Sequence, residues 1–150
     1  MPIRCEIVSQ DRTLFEGEAD MVIAPGTEGE MGILPHHAPL LTTLAYGFLR
    51  VRRGSQEDVF AVSGGVMEVR PEVVTVLADV GENVAEIDEA RAEAARRRAA
   101  ELLAKGPPPN TDEYLALEAS LRRSTLRLEA VRRYRRGAGR APRIEGSEGR

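Results

Sequence analysis

The chain has 150 residues, 42% hydrophobic and 30% charged, enough to bury roughly 68–70% of its unfolded surface as one domain with at most an appendage. No run approaches the roughly 18 apolar residues of a membrane span, and the start, MPIRCEIVSQ, carries neither a secretory signal core nor an Arg/Ser-rich transit pattern, so the chain is expected to stay in the compartment where it is made. A single cysteine, Cys5, excludes an internal disulfide and a cysteine-based zinc cage, and the net charge of −3 conceals a split between residues 1–84, at −7, and residues 85–150, at +4.

Residues 1–84 place short runs rich in Val, Ile and Phe between turn signals, the pattern of a sandwich or barrel. The predicted strands are Ile3–Val8, Thr13–Ala24, Gly47–Arg53, Asp58–Ser63, Gly65–Val69 and Val73–Asp79, with Cys5 packed in the core. Turns at Arg53-Gly54-Ser55-Gln56 and Arg70-Pro71-Glu72 are short, so successive strands must pair antiparallel. The segment 25–45, with Gly26, Gly29, Gly32, Pro35 and Pro39, is predicted as a long loop of the kind that often carries function.

From Ala85 the composition turns to alanine, arginine and glutamate, with no Gly or Pro until Gly106, which predicts a helix. Asp88 is its expected N-cap and Gly106-Pro107-Pro108-Pro109 its stop. A second helix is predicted from Asn110, with Asn110 and Glu113 spaced as a capping box. Its apolar seam, Tyr114, Leu117, Leu121, Leu128 and Val131, is interrupted at Ser124. The first helix offers mainly alanine, which buries little apolar area, so the hairpin is expected to dock weakly and to move. From Arg132 onward apolar periodicity stops, and residues 137–150 are predicted to form a disordered tail.

No catalytic constellation is found. His36 and His37 are adjacent and point apart in an extended segment, a poor pair for one metal, so no metal site is expected. There is no phosphate-binding glycine loop, and Ser63-Gly64-Gly65 lacks the nucleophile-elbow pattern. Nucleic-acid binding is disfavoured because glutamates interleave with the helix arginines and the pI is about 5.5. Arg91 and Arg98 share a face of the first helix, as Arg123 and Arg127 do of the second. Closed inward, the four guanidiniums suit an anionic ligand such as a triphosphate. Alternatively, Asp88 caps the helix and pairs with Arg91 while the other arginines bond neighbouring glutamates.

Three stretches together resemble the epsilon subunit of bacterial F-type ATP synthase. They are Gly29-Glu30-Met31-Gly32-Ile33-Leu34-Pro35-His36-His37-Ala38-Pro39-Leu40, Ser63-Gly64-Gly65-Val66-Met67-Glu68-Val69 and Val73-Val74-Thr75-Val76-Leu77-Ala78-Asp79. The resemblance covers residues 1 to about 136. It implies a β + α chain: an N-terminal antiparallel β-sandwich over 1–84 contacting the gamma subunit and c-ring, then a C-terminal two-helix antiparallel hairpin over 85–136. It implies a non-catalytic rotor subunit of the central stalk, peripheral on the cytoplasmic side of the bacterial plasma membrane and not inserted in lipid. Such a subunit couples proton-driven rotation to ATP synthesis, and its hairpin restrains hydrolysis when extended into the catalytic alpha/beta head.

The same resemblance places Glu28, Gly29, Glu30, Met31, Gly32, Ile33 and His37 at the c-ring and gamma interface. No cofactor is implied, but ATP enters as a regulatory ligand of the compact hairpin. Ile87, Asp88, Arg91 and Ala92 match an [IL]-D-x-x-R-A motif, with Glu82, Arg98, Arg123 and Arg127 at similar offsets. The Pro-rich turn and the Gly/Arg tail depart from the family pattern. The other reading kept open is a free-standing ATP-binding sensor or adaptor domain.

Overall fold

The computed structural model describes residues 1–106 and 108–135; the disorder expected over 137–150 falls outside them. Eight strands come first: β1 (Ile3–Val8), β2 (Thr13–Ala19), β3 (Met21–Gly26), β4 (Gly29–Ile33), β5 (Leu40–Arg53), β6 (Gln56–Val69), β7 (Val73–Ala78) and β8 (Gly81–Asn83). Two helices follow, α1 (Glu89–Ala104) and α2 (Thr111–Ala130), the second running into a π turn at Val131–Arg135.

Pairing register divides the strands into the two sheets of a sandwich. The first half of β5 and the second half of β6 continue into β7, β1 and β2, while the remaining halves pair with β3 and β8, and β4 is added at the edge through β3. Between the sheets lies one core containing Ile3, Cys5, Ile7, Val22, Leu49, Val51, Phe60, Val62, Met67, Val74 and Val76.

Passage from sheet to sheet leaves a mark in the alternation of buried residues. In β6 the inward set changes from Phe60 and Val62 to Met67 and Val69, and the change falls at Gly64 and Gly65, whose φ angles are 84° and 137°. The predicted single strand over 13–24 is likewise two strands. Ala19 faces inward opposite Ile3, then Val22 and Ala24 do so in the other sheet. The break is at Asp20, whose N–H donates to Arg52 O at 2.7 Å and whose Oδ2 accepts from Gly54 N at 2.7 Å.

Three further expectations are corrected. The segment 25–45 is not one long loop, since it holds the end of β3, all of β4 and the start of β5; paired edges tolerate its glycines. Residues 58–63 and 65–69 belong to one bent strand. Finally, β1 and β7 pair in parallel within an otherwise antiparallel sandwich, as strands distant in sequence can.

Asp88 caps α1 as expected, its Oδ1 accepting from Arg91 N at 3.0 Å. The chain leaves α1 through Gly106 at φ 100°, a left-handed stop that favours glycine. Asn110 caps α2 by accepting from Asp112 N at 2.9 Å, so among the described residues the reciprocal bond with Glu113 is not the one formed. Ser124, the interruption in the apolar seam, is 2% exposed and bonds back to Ser120 O at 2.7 Å. Ala92 and Ala99 are equally buried. The helices therefore meet through their smallest side chains, which allow close approach. Arg132–Arg135, where apolar periodicity was expected to stop, instead continue the helix as the π turn because Val131 and Tyr134 find apolar partners on the sandwich.

Candidate functional site

The outer face of the second sheet carries Tyr46, Phe48 and Arg50 along β5, and the hairpin lies over the first two. Arg122 of α2 stacks on the Tyr46 ring at 4.1 Å, and Tyr134 meets Phe48 edge to face with centroids 5.1 Å apart. Around Phe48 a second apolar cluster gathers Ala61, Val84, Ile87, Ala130 and Val131, separate from the sandwich core. Two polar ties cross the same seam. Arg127 Nε donates to Glu82 Oε2 at 2.7 Å, half-buried, and Arg135 donates to the Ile87 carbonyl.

The residues proposed from sequence for an anionic ligand are distributed over three places. Arg91 and Arg98 line one cavity of about 500 Å³ between the helices, with Ala94, Ala95, Ala99, Leu102, Leu117 and Ser120. Neither arginine pairs with a carboxylate among the described residues. Glu82 and Arg127 are joined to each other, and Ile87 is buried in the seam. Asp88 is occupied as the cap, and Ala92 is buried and outside the cavity lining. Arg123 is half-buried and lies outside the cavity lining.

The second candidate set forms the β3–β4 hairpin. Its two-residue tip is Thr27-Glu28, closed by Gly29 at φ 134°. Glu28, Gly29, Glu30 and Gly32 are exposed, whereas Ile33 is in the core and Met31 packs against it. Arg50 Nη2 donates to Glu30 Oε1 at 3.0 Å, fixing the carboxylate at the rim. His37 Nδ1 lies 2.7 Å from Ala38 O, and His36 takes φ 65° while its N–H donates to Pro71 O.

Sequence reasoning missed a third surface. The first sheet's outer face exposes Leu41 (69%), Leu77 (56%) and Val66 (38%), and Val66 and Leu77 sit directly opposite each other. The available signal was phase. With Val74, Val76 and Ala78 inward, Leu77 must point out, and with Met67 and Val69 inward so must Val66. Large aliphatic side chains on a solvent face mark a place for a partner. Among the described residues, no helix is long and apolar enough to cross a membrane.

Comparison with known proteins fits this division. The model of the ATP synthase delta/epsilon chain beta-sandwich domain matches residues 2–84, and that of the delta/epsilon long alpha-helix domain matches residues 85–132. An ATP synthase epsilon chain of Dehalococcoides mccartyi is 47% identical over 136 residues, covering 89% of this chain and 95% of that one. Another, from Acidithiobacillus ferridurans, is 47% identical over 137 residues, covering 90% and 94%. A chain in the Euglena gracilis mitochondrial ATP synthase structure, OSCP/F1/c-ring in rotational state 1, superposes with TM-score 0.70 at 27% identity, covering 87% of this chain and 81% of that one. The chain thus belongs to the ATP synthase delta/epsilon family, as an epsilon subunit of the F-type enzyme.

Proposed function

We propose that this epsilon subunit is a non-catalytic rotor part of the central stalk, seated on the gamma subunit and c-ring, with a hairpin that leaves the sandwich to restrain ATP hydrolysis. The carrying observation is the separation of the two apolar clusters. Among the described residues the sandwich core contains no helix residue, and the hairpin is held by a small cluster around Phe48. An element attached this way can detach without unfolding its support.

The seats follow from what the hairpin leaves uncovered. It occupies the second sheet's outer face, so the Leu41, Val66 and Leu77 face serves as the permanent seat on gamma. The β3–β4 tip, with Glu28 and the Arg50-held Glu30, is the end presented to the c-ring. On this reading the subunit lies peripherally at the membrane, on the cytoplasmic side. A synthase assembled with the chain cut after Val84 is expected to retain the sandwich and hydrolyse ATP several-fold faster than with the full chain. Unchanged hydrolysis would remove the inhibitory role.

ATP is the regulatory ligand this reading assigns to the inter-helix cavity, with Arg91 and Arg98 on its phosphates. About 500 Å³ is within the range of small-ligand pockets, and two guanidiniums with no carboxylate partner among the described residues favour a polyanion. Bound ATP joins α1 to α2 and stabilises the folded hairpin, by roughly 2.7 kcal/mol at a hundredfold excess over Kd. Calorimetric titration of the isolated chain should give saturable heat that is lost in both Arg91→Ala and Arg98→Ala. Absence of heat at millimolar ATP would leave these arginines as surface charges.

A further inference from the structure

We infer that Arg50 is the positioning residue of the β3–β4 tip: its guanidinium, reaching across β3 to the Glu30 carboxylate, fixes the direction in which Thr27-Glu28 and Glu30 are presented to a partner. The need for such a clamp lies in the backbone. β4 is an edge strand paired with β3, so the tip is only as well aimed as β3 is held to β5. That ladder is interrupted. Ile23 pairs with Arg50 and the next pair is Gly26 with Leu44, so two residues of β3, Ala24 and Pro25, face five of β5, 45–49. Pro25 has no N–H to give to a ladder bond. Its ring lies instead against Gly47, where an added Cβ would be 2.6 Å from Pro25 Cβ.

Side chains bridge the interruption. Arg50 stands at the last regular pair before it, and its partner Ile23 is 5% exposed although it belongs to neither apolar cluster. A side chain that starts on β5 and ends on β4 must pass over the strand between them, so the apolar stem of Arg50 roofs Ile23. Beyond the stem, Nη2 donates to Glu30 Oε1 at 3.0 Å, and Nη1 stands 3.9 Å from Glu57 Oε2, which Arg52 Nε also holds at 2.6 Å. The guanidinium is thereby anchored toward β6 on one side and grips the tip on the other. A hydroxyl contact of 3.4 Å between Thr27 and Thr43 is too long to do the same.

The environment of Arg50 argues against a purely structural role. Its side chain is 16% exposed, and its buried Nε finds no acceptor among the described residues. A buried donor left unpaired destabilises a fold, and an apolar side chain of similar volume in place of a buried charge is often neutral or stabilising. Stability does not account for an arginine at this position; directional grip on a carboxylate does. The positioning is a property of this chain alone, whereas the c-ring as the partner it serves rests on the reading proposed above.

The test compares the full chain as parent, as Arg50→Met, which keeps a stem over Ile23 and loses the charge, and as Arg50→Lys, which returns a charge. Residual N–H dipolar couplings of residues 27–30 are expected to fit the alignment of β6 and β7 in the parent, to lose that fit in Arg50→Met and to regain it in Arg50→Lys. The denaturant midpoint of Arg50→Met should be no lower than the parent's. Couplings that keep their fit in Arg50→Met, a midpoint that falls with the fit, or no recovery in Arg50→Lys would each overturn the proposal. In the assembled synthase, protons pumped per ATP hydrolysed are expected to drop in both Arg50→Met and Glu30→Gln. A drop in Glu30→Gln alone would mean that the carboxylate works without its clamp, which also overturns the proposal. No drop in either variant, with the couplings lost in Arg50→Met, would support Arg50 as the residue that aims the tip and remove the c-ring as its partner.

Discussion

Phe60→Ala is expected to cost about 3–5 kcal/mol and to open the sandwich, whereas Phe48→Ala is expected to free the hairpin and leave the sandwich closed. Phe60 is 1% exposed and meets Phe15 edge to face, with centroids 6.0 Å apart, inside the main core. A loss of that size is a large part of the roughly 5–15 kcal/mol by which a domain is stable. Phe48 belongs to the other cluster, and its removal deletes the ring against which Tyr134 packs. Cys5 distinguishes the two outcomes. It is fully buried, and desolvation pushes its thiol up to about 12, so the thiolate that reacts with alkylating reagents forms only when the sandwich opens. Alkylation should be fast in Phe60→Ala and slow in Phe48→Ala, while amide exchange in α1 and α2 rises in both. Equal alkylation in the two variants would mean that hairpin and sandwich unfold as one unit, and the movable-hairpin reading would fail with it.

The same two clusters explain how much could be read beforehand. Helix positions were legible because Asp88, Gly106 and Asn110 act locally, through caps and a left-handed stop that need no tertiary partner. Strand existence was legible for the same kind of reason, since alternation is local. What failed was the continuity of strands, which depends on which sheet a residue joins. Asp20 ends one strand because its backbone and carboxylate bond to Arg52 and Gly54, both more than thirty residues away. Gly29–Ile33 forms a strand because β3 lies beside it, although its glycines argue for a loop. The site divided likewise. Arg91 and Arg98 share a cavity because one helix carries both, while Arg127 is drawn to Glu82 by a strand that helical spacing does not register.

Gly65→Ala is expected to destabilise the chain by several kcal/mol, far more than Gly54→Ala, although both glycines have positive φ. At Gly54, φ is 58° and an added Cβ meets nothing within 4 Å, so the cost is the left-handed strain of about 1–2 kcal/mol. At Gly65, φ is 137°, and the Cβ would lie 2.9 Å from Ala78 Cα and closer still to the Leu77 carbonyl oxygen. Those are backbone atoms of β7 and cannot rotate aside. Strain of about 1–3 kcal/mol then adds to overpacking of about 1–3 kcal/mol, unless β6 parts from β7 and gives up ladder bonds instead. Denaturant midpoints of the two variants measure the difference directly, and a Gly65→Ala chain within about 0.5 kcal/mol of the parent would overturn the account. Separation of β6 from β7 would also displace Val66 from Leu77, two of the three side chains assigned to the gamma seat. Chains that stay folded should therefore bind gamma more weakly, which makes the Ser63-Gly64-Gly65 bend both the point where β6 changes sheets and the support of the surface beside it.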